Sequence, residues 1–360
     1  MAYTIIDKSD DYFETKLYTG NGGTLNVTGL DFAPNWVWIK SRSSSRVHCL
    51  FDTVRGATKR LQTNEADTEY TTSNSLTGFN SDGFSLGSYN QSNEGSANFV
   101  SWNWKAETSF TNSAGSNGAT IASAGSVNTD AGFSFFTYTG NGSDATVFHS
   151  LSVVPNVILV KSLNATGNWH MYHSAMGNDK NIVLNTTAAN YTSNNWKKTN
   201  PTSSVFSLKS GTFDTNINGR NYICYTFANK QGYSKFGSYT GNGNADGTFV
   251  YTGFKPAFVI RKVTSASSDW IMQDNKRSES GGSNQIRNYL FPNSSQAEVS
   301  NQNYFNIDFL GFLFTVYYTT FLKKILIFYF LFLTSIFLNY QRAVAGTPVD
   351  ETKLSSAKAM

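Results

Sequence analysis

Apolar residues along this chain come in short runs broken by Gly, Asn, Ser, Thr and Asp, and no stretch repeats them at convincing helical spacing. Such runs predict strands with turns between them; a short helical turn is expected only near Val54–Leu61. Asn98-Phe-Val-Ser-Trp-Asn-Trp-Lys105 alternates, so Val100, Trp102 and Trp104 share one face and Ser101 lies on the other. Asn221-Tyr-Ile-Cys-Tyr-Thr-Phe-Ala228 repeats the pattern with Ile223, Tyr225 and Phe227, and places Cys224 opposite. Large residues replace large ones at each step, as a packed face requires. Pro155-Asn-Val-Ile-Leu-Val-Lys161 is instead apolar at consecutive positions. That predicts a strand buried on both faces, with the lysine marking its exit into solvent.

The pattern recurs in register. Tyr-Thr-Gly-Asn-Gly stands at Tyr18–Gly22, Tyr138–Gly142 and Tyr239–Gly243, a domain-sized spacing. Each copy leads to a proline (Pro34, Pro155, Pro256) that opens an apolar run ending at Lys40, Lys161 or Lys262. Eighteen residues after each proline a polar residue closes a second run: Asp52, His173 and Asp274. Gly-Asn-Gly permits positive φ and a sharp reversal, and proline suits the first residue of a strand. The expected fold is all-β, in tandem β-sandwich domains. The boundaries read as 1–105 for the first repeat and 131–230 for the second. Between them 106–130 is a linker rich in Ser, Gly, Ala, Thr and Asn, with room for an extra edge strand. The third repeat, 231–311, is incomplete, and an atypical apolar segment and polar tail fill 312–360.

Composition and charge narrow the classes. Charged residues make up 14% of the chain, against about 25% in an average soluble protein. A net charge of +4 without a Lys/Arg cluster among aromatics argues against a nucleic-acid partner. Cys49 and Cys224 sit in apolar runs and read as small buried hydrophobes. The first ten residues lack a basic region followed by an apolar stretch, so no secretory signal is expected.

No closing strand like Asn221–Ala228 is found in the third copy. Phe309–Leu338 is almost wholly apolar, and its longest uncharged part, Ile325–Leu338, is shorter than the roughly 20 residues a spanning helix needs. Three readings stay open: a membrane segment, an oligomerisation element, or a frameshifted end.

Ser126-Val-Asn-Thr-Asp-Ala-Gly-Phe-Ser134 leads into the second pentapeptide, and Gly232-Tyr-Ser-Lys-Phe-Gly-Ser-Tyr-Thr-Gly-Asn-Gly243 into the third. With Tyr12-Phe-Glu-Thr-Lys-Leu-Tyr-Thr-Gly20 and Phe249-Val-Tyr-Thr-Gly-Phe-Lys-Pro-Ala-Phe258, these resemble a repeat-domain family of tail-fibre-like and virion structural proteins of marine bacteriophages. The resemblance covers about residues 1–311. It implies lectin-like sandwiches of concanavalin or jelly-roll type in a virion tail, assembled in the host cytoplasm. Other tail proteins and host-surface glycans are the expected partners, and a homo-oligomer, trimeric for a fibre, is the expected assembly. It carries over no catalytic residues. The alternatives are a carbohydrate-binding module of a secreted bacterial protein and a polysaccharide-degrading tail enzyme.

Candidate chemistry is sparse, and no enzyme, cofactor or metal is expected. The Gly-Asn-Gly turns lack the Lys-Ser/Thr of a phosphate loop, and no zinc-ligand spacing occurs. His170 and His173 fall on opposite faces of a strand and read as surface or edge residues. Asp52, Asp82, Glu94 and Asp274 are scattered, unlike a glycosidase pair. Asp52 and Arg55 in Asp52-Thr-Val-Arg-Gly56 suit a structural ion pair first and a ligand contact second. Most tryptophans lie in strands and read as core. Trp196, in the polar context Asn194-Asn-Trp-Lys-Lys198, is the one expected to be exposed and to stack on a sugar.

Overall fold

The computed structural model describes residues 4–211, 215–244, 246–277, 285–300, 306–308, 311–315 and 324–331. Repeat 1 contains β1 (Phe13–Thr19), β2 (Leu25–Val27), β3 (Trp36–Ser41), β4 (Cys49–Asp52), β5 (Lys59–Arg60), β6 (Tyr70–Thr71), β7 (Leu76–Asn80), β8 (Gly83–Leu86), the helical turn α1 (Asn90–Asn93) and β9 (Asn98–Trp104). Strands β10 (Thr108–Asn112) and β11 (Ser123–Asn128) precede repeat 2. Repeat 2 contains β12 (Phe133–Thr139), β13 (Ala145–Phe148), β14 (Val157–Ser162), β15 (His170–His173), β16 (Lys180–Val183), β17 (Tyr191–Thr192), β18 (Val205–Leu208) and β19 (Asn221–Phe227). Repeat 3 contains β20 (Ser234–Thr240), β21 (Asp246–Tyr251), β22 (Pro256–Val263), β23 (Trp270–Asp274), β24 (Asn288–Tyr289), β25 (Val299–Ser300), β26 (Asn306–Asp308), β27 (Gly311–Thr315) and β28 (Lys324–Leu331). The fold is all-β. Residues 54–58 form turns rather than the expected helical turn, because the Asp52 carboxylate accepts from the Arg55 N–H and bends the chain there.

One antiparallel order recurs: β1-β9-β3-β4, β12-β19-β14-β15 and β20-β28-β22-β23. A smaller sheet accompanies each: β2-β8-β7, β13-β18 and β21-β27-β26. The third repeat therefore has a closing strand, contrary to the sequence expectation. Lys324 lies opposite Thr240 as Asn221 lies opposite Thr139 and Asn98 opposite Thr19. The run pairs as a closing strand without the motif that β9 and β19 share, so sequence comparison passes over it. Residues 309–310, 316–323 and 332–338 of the apolar run, and the polar tail after it, lie outside the described residues.

The pentapeptide turn is held in two ways. Gly22, Gly142 and Gly243 have φ of +71°, +70° and +68°. Gly20 and Gly140 serve instead for close approach, since a Cβ there would come within 2.2 Å of Glu94 O and 2.4 Å of Ile217 O. Asn21 Oδ1 accepts from Gly23 N, as Asn141 Oδ1 accepts from Ser143 N.

Every residue of β3 and of β14 is buried. Val37, Ile39 and Phe99 pack with Phe84 and Leu86 of the small sheet in repeat 1. Ile158, Val160, Tyr222 and Cys224 do the same with Phe206 and Leu208 in repeat 2. The opposite faces of the large sheets meet one another. Trp36, Trp102, Trp104, Tyr225, Phe227, Phe258 and Trp270 belong to one cluster built by all three repeats. Trp36 lies 4.1 Å from the Trp104 ring and 5.0 Å from Tyr225. Such ring pairs add about 0.5–1.5 kcal/mol each beyond area burial. A void of about 30 Å³ among Trp36, Trp104, Leu159, Phe227 and Phe258 marks where the three faces converge.

Equivalent hydrogen bonds close these contacts into a ring. Lys161 Nζ of repeat 2 donates to Ala66 O of repeat 1, Lys262 Nζ to Thr187 O of repeat 2, and Lys40 Nζ to Ser295 O of repeat 3. Trp169 Nε1 donates to Gln62 O and Trp270 Nε1 to Val183 O, while His48 Nε2 stands 2.9 Å from Phe291 O. Glu69 N, Asn190 N and Glu298 N return the contact to Leu163 O, Thr264 O and Arg42 O. The lysines thus do not mark an exit into solvent. All three are buried, and each also donates to the carbonyl of the next residue in its own strand. Burial pulls Lys40 down to about 7 and Lys262 down to about 8.

Candidate functional site

Residues 106–130, read from sequence as a linker, form a hairpin that breaks the threefold repetition. β10 pairs with β11 from Thr108↔Val127 to Asn112↔Ser123, and β11 pairs with β12. Repeat 2 gains two strands on that edge, for which repeats 1 and 3 have no counterpart among the described residues. Gly125 makes the junction possible, because a Cβ there would fall 2.1 Å from Phe135 O. The hairpin tip turns through Gly115, Asn117 and Gly118, all at positive φ. Asn117 Nδ2 donates to Asn112 Oδ1 at 2.7 Å and Asn112 Nδ2 to Ser113 O at 3.1 Å, which fixes the tip.

Between this hairpin and the ends of β12 and β19 lies an open groove of about 420 Å³, within the size range of ligand sites. Thr111, Ser113, Ser123, Thr137, Thr139 and Asn221 line it with hydroxyl and amide groups, Tyr138 and Leu163 are among the other lining residues, and none of its lining residues is charged. Some of these groups are already used. Ser123 Oγ donates to Phe148 O at 2.9 Å, and Thr139 Oγ1 donates to Asn221 Oδ1 at 3.0 Å. The second bond orients the Asn221 amide and leaves its NH2 for a ligand. Burial pushes the Tyr138 phenol well above its ordinary range, and its hydroxyl donates to Thr215 O. The groove therefore stays neutral across the physiological range.

The sequence-predicted site residues lie elsewhere and are not brought together. Trp196 is buried, not exposed: its ring packs edge-on to Tyr172 at 5.9 Å and to Phe206 at 6.4 Å. Lys197 and Lys198 adopt φ of +53° and +49°, so the chain turns outward at the lysines while the indole stays inside. Asp52 and Arg55 do pair, at 2.6 Å, with Glu69 at 3.1 Å from the same guanidinium. The Tyr225 hydroxyl from repeat 2 donates to Asp52 Oδ2 at 2.8 Å, so the pair belongs to a junction between repeats and offers no surface to a ligand. Repeat 3 copies it with Asp274, Arg277, Glu298 and the Trp102 indole of repeat 1. His170 and His173 are buried inside the sheet, neither at the surface nor at an edge, because β15 lies between β14 and β16. Cys49 and Cys224 are free and buried. Among the described residues, no cluster of potential metal ligands occurs, and no helix is long and apolar enough to cross a membrane.

A family model, described as a domain of unknown function (DUF7483), matches residues 8–319. The chain belongs to the DUF7483 family. The match runs through the strands of repeats 1 and 2 and the hairpin, and ends in the third repeat before β28. No curated protein matches the chain. No solved structure matches it either.

Proposed function

We propose that this chain is a non-enzymatic structural protein of a phage virion, associated with the tail, that contributes to adhesion to host-surface glycans. Each repeat is, on this reading, a lectin-like β-sandwich, a view supported in repeats 1 and 2 by the buried cluster shared between the large and small sheets. The observation that carries the reading is the groove of repeat 2. Its neutral hydroxyl and amide lining complements a polyhydroxylated ligand, and it sits on the hairpin that departs from the threefold pattern. Low affinity at a single groove is raised when many copies face a surface.

The test is a glycan array and whole-cell binding with the full chain, beside Thr111→Arg and Thr139→Arg, two exposed positions whose longer side chains fill the groove. Saturable binding weakened at least tenfold in both variants, with unchanged unfolding, is the expected result. Equal binding by the variants removes the groove from the role. A folded wild-type chain that binds no glycan removes the adhesion reading.

A further inference from the structure

Arg60 on β5 is 4% exposed, and its Nε and Nη1 make no hydrogen bond. Its guanidinium carbon lies 4.6 Å from the Tyr70 ring centroid and 5.0 Å from that of Tyr89. The Cys49 thiol meets the guanidinium as a hydrogen-bond partner, but burial pushes it up to about 11, so it supplies no negative charge near neutrality. Two other buried guanidinium groups are held by carboxylates. Arg55 is held by Asp52 and Glu69, and Arg277 by Asp274 and Glu298. Arg60 has no carboxylate, although removing an arginine from water without one is costly.

Repeat 2 shows what the position requires for folding. Asn181 holds the same register opposite Tyr191 that Arg60 holds opposite Tyr70, and Asn181 Nδ2 meets the Tyr191 hydroxyl at 2.8 Å. A neutral amide satisfies the frame, so the cation of repeat 1 is surplus to it. The cover over that cation is slight. Tyr70 is 37% exposed on a two-residue strand that pairs only with β5, and its hydroxyl is held by Asp67 at 2.8 Å.

We propose that Arg60, with Tyr70 and Tyr89, is an anion-binding site that takes the carboxylate or sulfate ester of an acidic glycan. The oxyanion accepts from the guanidinium N–H groups as the Tyr70 ring swings aside, and the displaced ring then lies against the sugar. This site is separate from the repeat 2 groove and differs from it in charge preference.

Calorimetric titration of the full chain with oligogalacturonate, a sulfated galactan oligosaccharide and a neutral galactan oligosaccharide tests it. The expected result is binding of one or both acidic probes, weakened by added salt and lost at least tenfold in Arg60→Asn. Which acidic probe binds identifies the oxyanion. Arg60→Asn borrows the residue that already serves in repeat 2. Should it fail to fold, the wild-type Arg60 Nε–H resonance followed during the same titration decides: a saturable shift supports the site and an unchanged resonance overturns it. Equal affinity of a folded Arg60→Asn, or no acidic binding by wild type, overturns the site and leaves Arg60 as a structural cation between two rings.

Discussion

Asp52 does two things at one carboxylate: it balances a buried guanidinium and accepts the Tyr225 hydroxyl from the next repeat. Asp52→Asn leaves Arg55 with Glu69 alone, and breaking such a buried pair costs roughly 3–5 kcal/mol. Tyr225→Phe removes one hydrogen bond and costs about 1 kcal/mol. Urea unfolding of both variants checks this order, and a larger loss in Tyr225→Phe contradicts it. The lysines give a pH signature. Burial lowers Lys40 from 10.5 to about 7 in the folded chain, so between these values the unfolded chain binds more protons. Stability then rises with pH across that window, by at most about 1.4 kcal/mol per pH unit for one lysine. The melting temperature of the wild type, measured relative to Lys40→Met, is expected to climb from pH 7 to pH 9.5; a flat difference means that Lys40 keeps its charge. The Asp52–Arg55 pair was legible because both members lie in one local motif. The buried lysines were not, because the carbonyls that receive them lie in a different repeat.

At the scale of strands, alternation and consecutive apolar runs located the opening, proline and closing strands of the two complete copies. The third closing strand escaped because it shares no motif with Asn98–Trp104 or Asn221–Phe227. Ending the chain after residue 323 removes the strand between β20 and β22. Hydrogen exchange is expected to show lost protection in Ser234–Thr240 and Pro256–Val263, with repeat 2 less affected; retained protection in both segments contradicts the pairing. The hairpin that bounds the groove was hidden for another reason. Its Ser, Thr, Gly and Asn residues suit a linker as well as a strand edge, and only pairing with β12 distinguishes the two. The groove was out of reach for the same reason, since Asn221 and Thr111 meet through that pairing and not through sequence spacing.

Across the whole molecule, three copies of one frame share an aromatic interior. The repetition was plain in the sequence, but an apolar face does not say what will cover it. Here each large sheet is covered by the other repeats, so a single repeat leaves Trp36, Trp102 and Trp104 open to water. Residues 1–105 expressed alone are expected to aggregate or to bind a hydrophobic dye, while the full chain unfolds in one calorimetric transition. Independent transitions for separate repeats contradict the shared interior. The bonds that join the first repeat to the last, from Lys40 to Ser295, Arg42 to Glu298 and His48 to Phe291, also set a timetable. The ribosome releases the first repeat long before β28 exists, and at about 5–20 residues per second the gap is on the order of 10–40 s. Over that interval the aromatic wall of the nascent chain is covered only in part, first by repeat 2, so translation speed and chaperone supply bear on its yield of folded protein as much as final stability does.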